Sequence, residues 1–315
     1  MQPLRIAHVL DAPFTAAGAN GVSAVVQYLA RAQSDIGQSV AVFSGVDGVH
    51  VIGPGTEPAG RPRSGPARPG RPLRRRFTSR FLDPVLAEAV RAWQPDVVHF
   101  HSVHVALNVA LAERLRDTGL PYCVTAHGAL FPAALRRARM KKAAFRRLFE
   151  RRFLREASFV HAVSPHEVGA IRGYGFDGPV VIAPNGVPAG AGVAPARPDA
   201  LYAAHPSLFD RNIFMFVGRL DPWQKGLDLL IEAFARAALH NAVLVLVGPD
   251  CRGSRRSLRM LADRLGILPR VLFTGAAFGE DRANLFAAAD VFVHPSRWEG
   301  LSLSVLAAAA AGKPC

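Results

Sequence analysis

The chain has 315 residues, half of them hydrophobic, which is more than one ordinary core needs and predicts two α/β domains. Cys123, Cys251 and Cys315 are odd in number, far apart and without CxxC or Cys/His spacing, which excludes a disulfide framework and argues against zinc. The net charge of +14 is concentrated in residues 58–82 and 135–156, each contributing +8, so a generally nucleic-acid-binding surface is not expected.

The N-terminus, MQPLRIAHVL, carries no pattern of a cleaved signal, and no apolar run approaches the ~20 residues of a membrane span. A cytoplasmic protein, soluble or peripheral to a membrane, is the expectation. Along the chain, short β-branched runs alternate with helical patterns, the rhythm of βαβ units and parallel sheets. Strands are predicted at Leu4–Leu10, Val40–Phe43, Asp96–His101, Tyr122–Ala126, Phe159–Val163 and Val180–Ala183. Between them helices are predicted near 20–36, 80–93, 103–117, 133–156 and 165–173. Residues 53–76 are so rich in Gly, Pro and Arg that neither ladder nor helix can propagate, and a surface loop is expected there. An Ala/Pro/Gly-rich stretch at 188–210 reads as the junction between domains 1–190 and 211–315, with 191–210 as linker. The alternation then restarts with strands at Ile213–Val217, Val243–Val247, Val271–Thr274 and Val291–His294. Helices are predicted from Gly226, near 255–265, near 281–288 and from about 300.

Two loops carry most of the chemistry. In FVGRLDPWQKGLDLLIEAF, 216–234, a strand ends at Gly218-Arg219 and Lys225-Gly226 opens an amphipathic helix. Glycine lets backbone approach a ligand, and an Arg and a Lys brought together can clamp phosphates with help from a helix N-terminus. In VFVHPSRWEGLSLSVL, 291–306, a strand ends at His294-Pro295-Ser296 and Glu299-Gly300-Leu301 leads into the next helix. A carboxylate at the carboxyl edge of a parallel sheet can accept hydrogen bonds from sugar hydroxyls. Either loop alone also reads as an ordinary βα turn. Together on one sheet edge they read as a binding site.

These motifs, with IAPNGV at 182–187, DVVHFH at 96–101, VTAHGAL at 124–130 and Ala19-Asn20-Gly21 after the first strand, resemble the family 4 retaining glycosyltransferases. The resemblance covers nearly the whole chain and implies the GT-B architecture, two Rossmann-like doubly wound domains facing across a cleft. It also implies a nucleoside diphosphate sugar, UDP or GDP, as donor and a glycan or lipid-linked acceptor. Arg219 and Lys225 would hold the diphosphate and Glu299 the transferred sugar, with Gly218, Ser296 and the backbone of Gly300 and Leu301 around it. His127 would stand beside the anomeric centre, Gly21 would let the first helix approach the donor or acceptor, and His101 and Asn185 are possible acceptor-side residues. His99, His104, His161 and His166 read as ordinary polar or sheet residues.

No DxD occurs, which suits a cationic clamp in place of a metal, and no cofactor is expected. Gly312-Lys313 is no P-loop, because Ala307 and Pro314 stand where that motif needs Gly and Ser or Thr. The sequence departs from the family twice. Ala307 occupies the position of a second Glu, and the chain stops at Cys315 where the family continues, so the second domain is expected to be truncated. A relative that binds without turnover is therefore the alternative, and a basic nucleic-acid-binding protein a weaker one. The segment 135–156 holds ten cations, with Phe145, Leu148, Phe149 and Phe153 at helical spacing. An amphipathic helix bound to an anionic membrane surface or acceptor is the expectation.

Overall fold

The computed structural model describes residues 2–14, 21–54, 79–188 and 202–315. Most of the Gly/Pro/Arg-rich segment, Ala19 and Asn20, and residues 191–201 of the expected linker lie outside the described residues. The chain divides into two compact units, Met1–Gly186 and Val187–Cys315.

In the first unit the strands are β1 (Arg5–Leu10), β2 (Ser39–Ser44), β3 (Gly48–Ile52), β4 (Val97–His101), β5 (Tyr122–Thr125), β6 (Phe159–Ala162) and β7 (Val180–Ile182). Their order is β3-β2-β1-β4-β5-β6-β7. Every neighbouring pair is parallel except β2 with β3. Helices Gly21–Asp35, Ser79–Trp93, Ala106–Leu115 and Pro165–Gly173 supply crossovers. Residues such as Val9, Phe43, Phe100, Val124 and Val160 alternate along the strands into a core that Leu107, Leu111 and Leu115 close from one helix.

The sequence reading missed β3. It turns back antiparallel after Gly45–Asp47, where the Ser44 hydroxyl accepts the N–H groups of Val46 (3.1 Å) and Asp47 (3.2 Å). Its Val49 and Val51 are exposed, so this edge strand lacks the apolar run that identified the others.

The single helix expected over 133–156 is broken. Helices Pro132–Arg136 and Arg139–Phe145 are separated at Ala138, which takes a left-handed backbone (φ 57°). Residues Arg146–Glu150 then form a π turn before helix Arg151–Arg155. The cause lies at Glu150, which is fully buried and accepts hydrogen bonds from the His104 backbone N–H and the Tyr174 hydroxyl (2.6 Å). The extra residue in the turn points this carboxylate inward. It also undoes the single apolar face: Phe153 is buried, whereas Leu148 and Phe149 are exposed, as is Met140.

The second unit repeats the pattern with β8 (Asn212–Val217), β9 (Ala242–Val247), β10 (Val271–Gly275) and β11 (Val291–Phe292), all parallel, in the order β10-β9-β8-β11. β9 reads AVLVLV and all six residues are buried, as a central parallel strand requires. Helix Leu227–Arg236 buries Leu227, Leu230, Ile231 and Phe234, an i, i+3, i+4, i+7 stripe. β11 is shorter than expected, although the Val293 N–H still donates to Met215 O at 2.8 Å. The last helix starts at Leu303 and not near 300, so Gly300 and Leu301 belong to the preceding loop. Among the described residues no helix is long and apolar enough to cross a membrane.

Candidate functional site

In the second unit the strand order reverses at β8, which has β9 on one side and β11 on the other. Loops leaving the carboxyl ends of such a pair part to opposite faces of the sheet and leave a crevice between them. Both loops singled out from sequence start there. After β8 the chain passes through Gly218 and Arg219 to a short helix, Pro222–Lys225, whose N-cap Asp221 accepts the Gln224 N–H (3.4 Å). Gly226 then takes a left-handed backbone (φ 64°) and starts the long helix. Lys225 thus ends a separate helical turn and does not open the long helix, contrary to the sequence reading.

Three glycines fix this edge. A Cβ on Gly226 would lie 2.1 Å from the Pro295 carbonyl oxygen, and one on Gly248, after β9, 1.8 Å from that of Gly218. One on Gly218 would meet the Phe216 ring at 2.9 Å. The two loops are also laced together, with the Arg297 N–H donating to Gln224 O and its guanidinium to Pro222 O and, bidentately, to Asp228 (2.7 and 2.9 Å).

The ion pair the sequence could not show is Lys225 with Glu299. The ammonium donates to Glu299 Oε1, and the Ser296 hydroxyl donates to the same oxygen at 2.9 Å. Ser296 has one proton and spends it on the carboxylate, so it accepts from His294 Nε2–H at 3.0 Å. The other ring nitrogen, His294 Nδ1, is buried without a hydrogen-bond partner. The imidazole is held flat by the rings of Phe216 and Phe292, each at 14° to it. Burial pushes the Glu299 carboxyl up, but hydrogen bonds and charge from His294 and Lys225 outweigh it and hold the pKa at about 2. Arg219 is exposed and its Nη2 donates to Gln224 Oε1 at 2.9 Å. The site therefore presents one exposed cation beside a half-buried, mutually neutralised ion pair: a setting for an anion with a polyhydroxylated group attached. Ala307 is buried in an apolar cluster with Val245 and Phe292, so a carboxylate at this position would have to be buried too.

In the first unit the reversal falls between β1 and β4. Here His101, at the end of β4, and His127, just past β5, are brought together, His101 Nδ1 lying 3.0 Å from His127 Nε2. His127 has a left-handed backbone (φ 52°), held because the next N–H, of Gly128, donates to the buried Glu167 carboxylate, which also accepts from Val163 N–H. Asn108 donates to the His101 and Ser102 carbonyls, 2.9 Å each. Gly21 is the first residue of helix Gly21–Asp35, and a Cβ there would meet nothing within 4 Å. Asn185 is half-buried in the extended stretch after β7.

Sequence reasoning gave His294 no role and overlooked His8, which is fully buried on β1 opposite His99. A histidine inside an otherwise apolar strand, next to an HxH pair at sheet spacing, was the available signal. His104 pairs with Glu150 (2.9 Å) and His166 stacks on Phe131, in keeping with ordinary roles. His99 and His161 each hydrogen-bond Thr125.

Residues 19–190 match the family model described as Glycosyltransferase Family 4, and residues 211–315 the one described as Glycosyl transferases group 1. The chain is 36% identical over 107 residues to the lipopolysaccharide glucosyltransferase WaaG of Escherichia coli, covering 33% of this chain and 27% of WaaG. It is 36% identical over 122 residues to a D-inositol 3-phosphate glycosyltransferase of Mycolicibacterium smegmatis, covering 38% of this chain and 28% of the relative. The matched stretches thus span about a quarter of these curated relatives' own lengths. Among solved structures it is similar to sucrose-phosphate synthase from Thermosynechococcus elongatus, with a TM-score of 0.69 and 22% identity over 99% of this chain and 80% of that one. It is also similar to Anabaena HepE in complex with UDP and glucose, with a TM-score of 0.66 and 20% identity over 99% of this chain and 79% of that one.

Proposed function

The chain belongs to glycosyltransferase family 4, and from that premise we propose that it moves a hexose from a nucleoside diphosphate sugar to a glycan or lipid-linked acceptor, with retention. The observation that carries the proposal is the cluster of Lys225, Glu299, Ser296 and His294 at the strand-order reversal, with Arg219 beside it. Arg219 and Lys225 take the diphosphate, so that charge developing on the leaving group meets fixed cations and no metal is required. As phosphate draws Lys225 away, Glu299 is released to accept sugar hydroxyls, with the amides of Gly300 and Leu301 beside it. UDP is the favoured donor nucleotide, since HepE, of like fold, has been solved with UDP and with UDP-glucose. His127, with His101 behind it, serves the reacting sugar or its acceptor. The cytoplasmic face of a membrane is the proposed location, reached through 135–156, where exposed Met140, Leu148 and Phe149 stand among the cations.

Calorimetric titration with UDP, GDP and their sugar conjugates tests the reading. Each charge-assisted contact is worth ~1.5–3 kcal/mol, so Arg219→Ala or Lys225→Ala should weaken nucleotide binding by about one to two decades. A parent chain that binds neither nucleotide, or a double variant that binds as the parent does, refutes it. Buried Ala307 favours a second reading, a binder without turnover. Donor binding with no hydrolysis or transfer would decide for that one.

A further inference from the structure

Behind His127 a line of buried imidazoles runs through the first unit. His8 and His101 lie on neighbouring strands and are 0% and 1% exposed. Gln33 Oε1 lies 2.7 Å from His8 Nε2, His8 Nδ1 lies 3.0 Å from His101 Nε2, and His101 Nδ1 lies 3.0 Å from His127 Nε2. A second line lies beside it: His99 Nε2 to Thr125 Oγ1 (2.6 Å), Thr125 Oγ1 to His161 Nδ1 (2.8 Å), and His161 Nε2 to the Ala183 carbonyl (2.7 Å).

A neutral imidazole has one N–H and one lone pair, so each contact needs a proton on one side and none on the other. Burial holds four of these rings neutral at pH 7, with His8 lowered to about 4 and His127 to about 3, and His99 and His101 pushed well down by burial and by neighbouring imidazoles. With a single proton on each ring the second line has one solution. A backbone carbonyl can only accept, so His161 carries its proton on Nε2, Thr125 donates to His161 Nδ1, and His99 Nε2–H donates to Thr125. The first line ends on a side-chain amide, which can present either its oxygen or its NH₂, and so has two solutions.

We propose that Gln33, acting through His8 and His101, selects which nitrogen of His127 carries the proton. With the amide oxygen toward His8, His8 Nε2–H donates to Gln33, His101 Nε2–H to His8, and His127 Nε2–H to His101. His127 Nδ1 is then left bare, an acceptor for a hydroxyl. With the amide turned over, every proton moves to the other nitrogen and His127 Nδ1 becomes a donor. Gln33, on the far side of two rings, is thus a positioning residue for a group the transferase reading puts at the reacting sugar. His8, His99 and His101 are also close enough to share a metal ion. Both nitrogens of His8 and His101 are already committed, however, and the cluster holds no carboxylate to offset a dication.

Long-range ¹H–¹⁵N correlation of the imidazoles in the ¹⁵N-labelled chain at pH 7 reads each tautomer directly. His8, His101 and His127 should all be protonated at Nε2, with His99 and His161, fixed by the Ala183 carbonyl, as internal standards. Gln33→Lys, which can only donate, should switch all three to Nδ1–H while the two standards stay. Gln33→Glu, which can only accept, should keep the parent pattern and raise the His8 titration midpoint. A bare Nε2 on His127 in the parent, or a His127 tautomer unmoved by Gln33→Lys in a chain whose standards are intact, overturns the proposal. So does zinc shifting His8, His99 and His101 together, since a metal takes the lone pairs the chain needs. Should the Lys variant fail to fold, loss of the pattern in Gln33→Glu overturns it equally. Nucleotide titration is a separate measurement, so failure of the tautomer chain and failure of the transferase reading are distinguishable.

Discussion

Lys225→Met keeps the length of the side chain and removes its charge, leaving Glu299 with Ser296 and His294. Breaking a buried ion pair by deleting one partner costs ~3–5 kcal/mol. Lys225 and Glu299 are 13% and 24% exposed and the Ser296 bond survives, so a loss at or just below the bottom of that range, about 2–3 kcal/mol, is expected. The loss should depend on pH in a fixed direction. In the parent the Glu299 carboxyl is held at about 2 against an ordinary value of 4.5. A depressed carboxyl stabilises the fold fully above the unfolded value, here by up to ~3 kcal/mol, and that contribution fades as pH falls from 4.5 toward 2. Without Lys225 the burial that pushes the carboxyl up is opposed only by His294 and Ser296, so the variant has less of this contribution to lose. The gap between parent and variant should therefore be full at pH 7 and clearly smaller at pH 3. Equilibrium denaturation at both values reads it, and Glu299→Gln on the Lys225→Met background should recover part of the loss at pH 7. An equal gap at both pH values, or none at pH 7, refutes the argument.

Gly226→Ala should cost more than the ~1–2 kcal/mol of its left-handed backbone, because the new Cβ also meets the Pro295 oxygen. Gly266→Ala, with a like φ of 69° and open space, is the control, and equal melting points for the two variants would contradict this. Arg297→Ala removes a bidentate pair whose partners are 31% and 39% exposed, so denaturation should show a loss below ~1 kcal/mol. Reversing Arg139, Arg147 and Arg151 to Glu should weaken sedimentation with anionic vesicles by about two decades, at ~1 kcal/mol per cation removed, and leave thermal unfolding unchanged. Equal parent binding to neutral vesicles at low salt would contradict the electrostatic reading.

The parallel core strands were legible because they are short, β-branched and buried, and helix Leu227–Arg236 because its apolar stripe is regular. Arg219, Lys225, Ser296 and Glu299 were legible as residues at two strand ends, and the β10-β9-β8-β11 order is what brings those ends side by side. Their pairing was not legible. That Lys225 neutralises Glu299 depends on a seventy-four-residue separation closed by the sheet. His8 and Gln33 were missed for a related reason, since a lone histidine in a strand and a glutamine on a helix gain meaning only when other strands supply the next ring. The break-up of 133–156 was hidden because nothing in the composition distinguishes Glu150, whose carboxylate turns inward, from a solvated one.

The π turn at Arg146–Glu150 makes that stretch sensitive to length more than to identity. Each residue of an α-helix advances the chain by about 100°, and the turn absorbs one extra residue of phase. Substituting exposed Leu148 changes what solvent meets and leaves the phase alone. Deleting it would rotate everything before the turn against everything after it, carrying either Glu150 off Tyr174 or Phe153 out of the core. Relatives of this chain can therefore exchange the exposed residues Arg147, Leu148 and Phe149 freely, but can gain or lose one only where helix Arg139–Phe145 is free to swing about Ala138.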